Sequence, residues 1–287
     1  MRSNTTTPTD NALIYEVHDN GVALIKLNRP KLGNAFDDNL IKHLTNAFID
    51  ADNNDSVSVI LLCSNGKHFS AGADLNWMKS MANANYDENL SDAHRLAKLM
   101  STINACSKPV VARVQGAAYG GAIGLIACSD IAIAENGASF ALSEVKLGLS
   151  PATISPYVID AIGARAARRL FLTGEVFDAN KALSIGLISE VTPPDLLIET
   201  TDSIISSLLK NGPTAIASTK ALIDKVSRHE NNEQLTDYTC ELIAALRVSE
   251  EGQEGLSAFL EKRAPNWPPR TKPLNPNNID SNSIEAG

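Results

Sequence analysis

Two short stretches, FSAGAD (69–74) and YGGA (119–122), each follow an apolar run that reads as a buried strand and each precede a helical pattern. A glycine loop between strand and helix leaves backbone N–H groups pointing outward at a helix N-terminus, where the helix dipole favours negative charge. Two such loops aimed at one point would supply two convergent donors. That arrangement stabilises charge developing on a carbonyl oxygen, as on a thioester becoming an enolate. The same glycines invite a dinucleotide reading, because Glu144 follows Gly124 by 144 − 124 = 20 residues, as a ribose-binding acid would. The spacing argues against it: Gly120, Gly121 and Gly124 read GGxxG, not GxGxxG, and they lie mid-chain. No GK[ST] follows to make a phosphate loop. For a single loop, close helix packing without a ligand is an equal reading; the presence of two favours the donors.

Other chemistries find little support. Cys63, Cys106, Cys128 and Cys240 are far apart, form no CxxC pair and read as buried thiols, not as a disulfide or redox pair. The five histidines show no HExxH or other paired-ligand spacing, so no metal is expected. A net charge of −8 argues against a broad nucleic-acid surface. No apolar run approaches the roughly 20 residues of a membrane span, and the opening MRSNTTTPTDN has no apolar core of a secretory signal. The expectation is a cytoplasmic protein with no membrane or nucleic-acid partner.

The elements that must position the loops follow from periodicity. Two β-rich runs around Asn20-Gly21 predict a hairpin. AFDDNLIKHLTNAFIDADNN places Phe36, Leu40, Leu44, Ala47 and Phe48 at helical spacing, and VSVILLC (57–63) reads as a buried strand. Asp74 is a candidate N-cap for the helix after the first loop, and a long helix is expected over 86–105. VVARV (110–114), DIAIA (130–134) and SFALSE (139–144) read as strands; SPYVIDAIGARAARRLFLTG and DANKALSIGL read as helices. The alternation predicts an α/β architecture of stacked βα or ββα turns. The expected organisation is a flexible N-terminus (1–11), a core (12–193), a boundary at TPPDLL, a helical region (194–263) and a flexible proline-rich tail (264–287).

Six ordered blocks, LNRP…NA (27–35), KHFSAGADL (67–75), KPVVARVQGAAYGGAIGLIACSDIAIA (108–134), LSEVKLGLSP (142–151), LTGEVFDANKALSIGLISEV (172–191) and EGLSAFLEKR (254–263), resemble the enoyl-CoA hydratase/isomerase (crotonase) superfamily. The resemblance covers about residues 12–265. It implies a spiral of repeated ββα units, a C-terminal helical region that drives trimer formation, and a homotrimer or hexamer. It implies that the amides of Ala73 and Gly121 hold the thioester oxygen, with Gly120 and Gly121 letting the backbone approach the substrate. Ala71 and Asp74 would lie beside the adenine end of coenzyme A through backbone groups, and Lys262 would lie near its phosphates. Coenzyme A is then part of the substrate, and no further cofactor is implied.

The resemblance also sets the acid/base question. Of the two glutamates usual in family hydratases, one matches Glu144 in LSEVKLG, and the other falls on Gly124. Gly124 therefore either removes a carboxylate or makes room for substrate. Addition of water to a 2-enoyl thioester is simplest with two carboxylates, although a single Glu144 can take a proton from water and return it to C2. A shift of a double bond from C3 to C2 needs only one. The leading expectation is a hydratase of branched or carboxylated enoyl-CoAs, because GGAIGLIACSDIAIA…LSEVKLGLSPATISPYVIDAIGARAARRLFLTGE resembles a branch assigned to 3-methylglutaconyl-CoA in leucine breakdown or γ-carboxygeranoyl-CoA. The alternatives are a Δ3,Δ2-enoyl-CoA isomerase and a non-catalytic acyl-CoA-binding protein. A distal substrate carboxylate calls for a cation, for which Lys79, Arg95 and Arg165 are candidates. Tyr119 and Ser150 are candidates to replace the missing carboxylate, against a simpler packing or turn role.

Overall fold

The structure is a computed structural model, and it describes residues 12–268. β1 (Leu13–Val17) and β2 (Val22–Leu27) form the expected antiparallel hairpin, in which Gly21 supplies a positive φ of 85°. α1 (Asp38–Asn53), β3 (Val59–Ser64), α2 (Leu75–Asn83) and α3 (Tyr86–Asn104) follow. β4 (Val110–Val114) leads into a three-residue β5 (Ala117–Tyr119) and α4 (Gly121–Cys128). After β6 (Ile131–Glu135), β7 (Ser139–Ala141), α5 (Ser155–Thr173), β8 (Val176–Asp178), α6 (Ala179–Ser184) and β9 (Glu190–Thr192), the chain continues as four helices. These are α7 (Leu197–Leu209), α8 (Pro213–Arg228), α9 (Glu233–Val248) and α10 (Glu250–Leu260).

The strands form two sheets. Six lie in the order β1-β2-β3-β4-β6-β9, parallel except for the β1–β2 hairpin, and three form β5-β7-β8. Parallel neighbours need crossovers, and the crossovers after β3 and β4 carry the two glycine loops. Alternate residues on one face of the larger sheet, among them Ile25, Ile60, Leu62, Ala112 and Ala134, are buried with Leu40, Leu44 and Phe48 of α1 and Leu99, Met100 and Ile103 of α3.

Contacts divide the chain into two compact units. The first holds residues up to Cys106 together with Val110–Ser206, and the second holds Ser107–Pro109 together with the chain from Ser207. The division falls inside α7, beyond the boundary expected at 193/194. Within the second unit, buried Glu251 accepts hydrogen bonds from the amides of Thr214 (2.9 Å) and Ala215 (2.7 Å) at the start of α8. The expected flexible N-terminus and most of the expected flexible tail lie outside the described residues. Within residues 264–268, Asn266 donates its amide to Glu254 and Trp267 donates its indole N–H to Lys210 O at 2.9 Å.

Three expectations are corrected. Phe36 precedes α1, which starts at Asp38 with Asp37 as its cap, accepting from Leu40 N at 2.8 Å. Glu144 is not at a strand end, because β7 stops at Ala141 and Glu144 opens a 3₁₀ turn, Glu144–Leu147. Cys240 is exposed on α9, whereas Cys63, Cys106 and Cys128 are buried; all four are free thiols.

Candidate active site

The two loops are tied to one strand. Ser70 N donates to Ala117 O, and Tyr119 N donates to Ser70 O, both at 3.0 Å, so the first loop runs alongside β5. Gly120 N donates to Ala141 O at 2.9 Å, which fastens the second loop to β7. With φ 101°, Gly72 takes a backbone conformation closed to most side chains. Neither Ala73 N nor Gly121 N donates to another described residue. Gly121 is the first residue of α4, where helix geometry leaves the amide unpaired.

The segment from Arg29 to Asp37 holds this arrangement. Phe36 N donates to Gly72 O and Asp74 N donates to Phe36 O, both at 2.8 Å, so Ala73 sits between two bonds to one residue. Ala71 N donates to Gly33 O at 2.8 Å. Asn34, fully buried at φ 55°, donates from its side-chain amide to Asn65 O and His68 O, each at 2.8 Å. Arg29 pairs with Asp37 at 2.7 Å and with Asp74 at 3.0 Å. Asp74 is the N-cap of α2, accepting from Asn76 N (2.8 Å) and Trp77 N (3.3 Å). Burial works against its ionised form, but those two amides and the Arg29 guanidinium outweigh burial and hold its carboxyl below the usual range.

Glu144 faces the second loop. A Cβ placed on Gly120 would lie 3.3 Å from Glu144 Oε1, so that glycine lets the carboxyl stand against the backbone. Glu144 Oε2 is buried without a hydrogen-bond partner in the structure, and burial pushes the carboxyl above the usual carboxylate range. Such an acid can hold or release a proton nearer neutral pH than a solvated glutamate does.

Gly124 has a different role from the space-making one considered above. Its open face is filled by protein: a Cβ there would meet Ile154 Cγ2 at 2.5 Å and Met100 Sδ at 2.9 Å. Gly124→Ala therefore tests packing by its sign. In an ordinary helix interior the change stabilises by about 1 kcal/mol. Here overpacking reverses the effect to a loss of about 1–3 kcal/mol, read as a lower denaturant midpoint; a raised midpoint would show that Ile154 gives way freely. A glutamate at this position meets the same obstruction at its first side-chain atom.

Arg95 pairs with buried Asp92 at 2.8 Å and lines a hollow of about 740 Å³ with residues of α2 and α3. Arg165 lines a groove of about 790 Å³ with Arg168, Arg169 and Lys181 on α5 and α6. Neither hollow is lined by Ala73, Gly121 or Glu144. Lys79 is exposed on α2. The Tyr119 hydroxyl is 3.2 Å from Ser139 Oγ, and Ser150 is exposed, its carbonyl accepting from Ala152 N at 2.7 Å. Lys262 belongs to the second unit, just past α10, with φ 55°. Phe36, Asn34, Arg29 and Ile154 carry the geometry but were not singled out for it. The usable signals were a glycine inside an apolar helix for Ile154 and the LNRP…NA block for Arg29 and Asn34; Phe36 follows that block directly and carried no signal of its own.

A parallel α/β sheet that brings two unpaired loop amides and a half-buried, desolvated carboxyl into one neighbourhood defines a class of protein able to receive an anionic oxygen and move a proton beside it. The chain belongs to the enoyl-CoA hydratase/isomerase family, matching it over residues 17–270. Among solved structures it is similar to an enoyl-CoA hydratase from Shewanella pealeana ATCC 700345, with 48% identity, a TM-score of 0.86, and coverage of 89% of this chain and 96% of that one. It is 32% identical over 247 residues to the 2,3-dehydroadipyl-CoA hydratase of Escherichia coli K12, covering 86% of this chain and 94% of the relative. It is also 32% identical over 260 residues to a trans-2-decenoyl-[acyl-carrier-protein] isomerase of Streptococcus mutans, covering 89% and 97%. The fold is thus the crotonase fold. Among the described residues no helix is long and apolar enough to cross a membrane.

Proposed function

We propose that this enzyme adds water across the C2–C3 double bond of a 2-enoyl-CoA thioester, using Glu144 as its single proton carrier. The observation that carries this reading is the desolvated Glu144 carboxyl standing against the glycine loop that ends in the free Gly121 amide. The Ala73 and Gly121 amides receive the thioester oxygen as it gains charge. Ionised Glu144 takes a proton from water as the oxygen bonds to C3, and the same proton then passes to C2 of the enolate, restoring the carboxylate. A carboxylated or branched acyl group, such as 3-methylglutaconyl, is supported by the branch resemblance and by the dehydroadipyl substrate named for the E. coli relative. Ala71 and Asp74 flank the CoA path in this reading. Gly120 admits the thioester, and Lys262 of a neighbouring subunit binds CoA phosphates, in a cytoplasmic homotrimer or hexamer that requires no metal or further cofactor.

A second reading, double-bond migration from C3 to C2, is favoured by one observation: Ile154 fills the space beside Gly124, leaving one carboxyl to carry a proton from C4 to C2. Incubation with crotonyl-CoA, 3-methylglutaconyl-CoA and 3-hexenoyl-CoA in H₂¹⁸O separates the two. Label in a 3-hydroxyacyl product supports hydration and identifies the acyl preference, whereas unlabelled 2-hexenoyl-CoA as sole product replaces it by isomerisation. Binding without turnover on any of the three leaves the non-catalytic reading.

The pH dependence has a definite sign. Glu144 must be ionised to accept a proton, and burial raises its pKa, so kcat/KM rises with pH through a midpoint above the ordinary carboxylate range. A profile whose acidic limb lies at the ordinary position would count against Glu144 as the base.

A further inference from the structure

We propose that Phe36 is a positioning residue for the two thioester-oxygen donors, an inference that rests on the reading of Ala73 and Gly121 as those donors. Ala73 and Gly121 lie on different loops; Phe36 is bridged to Ala73, and its ring faces the side of Gly121 where a Cβ would stand. Its backbone brackets Ala73, donating to Gly72 O and accepting from Asp74 N at 2.8 Å each. Its ring lies against the other donor: a Cβ on Gly121 would be 3.4 Å from Phe36 Cδ2 and 3.5 Å from Cε2. The ring therefore fills the space beside the first turn of α4, adding a side-chain buttress to the Ser70–Ala117 and Tyr119–Ser70 bonds that already tie the two loops.

Phe36 is itself held firmly. Asp37, its neighbour, caps α1 and pairs with Arg29 at 2.7 Å; the same guanidinium donates to Ala35 O at 2.9 Å and reaches Asp74 at 3.0 Å. Backbone and guanidinium fix the Ala73 side, and the ring is the part of Phe36 that faces Gly121. Removing the ring leaves the Ala73 bracket intact and lets α4 settle toward the vacated volume. Two amides that must meet one oxygen then lose their relative placement, and a misplacement of about 1 Å can cost about 100-fold in rate. Phe48 provides the contrast, because it is equally buried but lies mid-α1 in the core.

The test compares Phe36→Ala, Phe36→Leu and Phe48→Ala by steady-state kinetics on crotonyl-CoA. It also records the carbonyl stretching frequency of a bound acyl-CoA thioester by infrared difference spectroscopy, since donors that polarise the carbonyl lower that frequency. The expected result for Phe36→Ala is a kcat lower by about 30- to 100-fold, KM within about threefold, and loss of most of the carbonyl shift. Phe36→Leu should recover most of both. Phe48→Ala should lower the melting temperature while leaving kcat and the shift near wild type well below that temperature. If Phe36→Ala does not fold, Phe36→Leu against Phe48→Leu decides, with a partial loss of kcat and shift expected only in the former. The inference is overturned if the full wild-type shift persists in Phe36→Ala, if Phe36→Ala and Phe48→Ala lose kcat alike, or, where only the leucine variants fold, if Phe36→Leu loses no more kcat or shift than Phe48→Leu. A wild-type protein that leaves the carbonyl frequency unmoved rejects the donor reading itself and the inference with it.

Discussion

Glu144→Gln is expected to lower kcat on the preferred enoyl-CoA by about 10²- to 10⁴-fold, the usual contribution of a general acid–base group, while the thioester still binds with near wild-type affinity. The argument is one of shape and charge. Glutamine keeps the volume that stands against Gly120 and leaves the loop amides undisturbed, but it cannot take a proton from water or from C4. Both readings of the reaction pass through that one carboxyl, so the loss should appear in hydration and in double-bond migration alike. Stability should move the opposite way. Burial raises the Glu144 pKa in the folded protein, so this group favours the fold when protonated and opposes it as pH rises through the raised pKa. The glutamine variant escapes that cost, and its melting temperature relative to wild type should climb as pH increases above the ordinary carboxylate range. Full turnover in Glu144→Gln, measured on label incorporation and on 3-hexenoyl-CoA consumption, would remove Glu144 from the mechanism.

Gly121→Pro deletes a backbone donor, which side-chain truncation cannot do. Position 121 is the first residue of α4, where proline is well tolerated because its missing N–H would be unpaired in the helix anyway. The preceding Gly120 has φ 55° and ψ −123°, outside the helical region that proline forbids to its predecessor. A Cβ at 121 would sit 3.4 Å from the Phe36 ring, at the edge of ordinary contact. The fold should therefore survive, shown by an unchanged far-ultraviolet spectrum and a small change in melting temperature. The lost amide should cost about 10²- to 10³-fold in kcat. Gly121→Ala is the paired control, with the same Cβ and the N–H retained; it should keep most of the activity. If proline and alanine behave alike, the Gly121 amide is not a donor to the reacting oxygen.

How far these features were legible depends on how local they are. β3 and β4 announce themselves as apolar runs, and the two loops stand out because glycines interrupt a strand-to-helix passage. β5, β8 and β9 have three residues each, too few for alternation to register, and they exist because sheet partners complete them. Phe36 shows how local pattern misleads. Its spacing from Leu40 and Leu44 is helical, yet Asp37 caps the helix and leaves Phe36 free to pair with the 72–74 segment. The Arg29–Asp74 pair spans 45 residues and leaves no periodic trace. Glu144 stood out through the LSEVKLG block, not through any pattern of charge. Gly124 offered a partial physical signal, since a glycine inside an apolar helix costs about 1 kcal/mol against alanine and so implies that something packs closely there. That the neighbour is Ile154, from beyond the 3₁₀ turn, is a tertiary fact.

The bonds that steady the first loop reach far along the chain: Asn34 to His68 across 34 residues, Gln115 to Ser64 across 51, and Ser70 to Ala117. During synthesis from the N-terminus, the 69–74 loop therefore leaves the ribosome before the strand that will hold it has been made. Until β5 emerges and pairs, Ala73 has no fixed neighbour on that side, however complete the hairpin and α1 already are. The nascent chain must pass through an interval in which much of its apolar sheet is present while its chemistry is not, and the window closes only when the second glycine loop and then Glu144 have arrived.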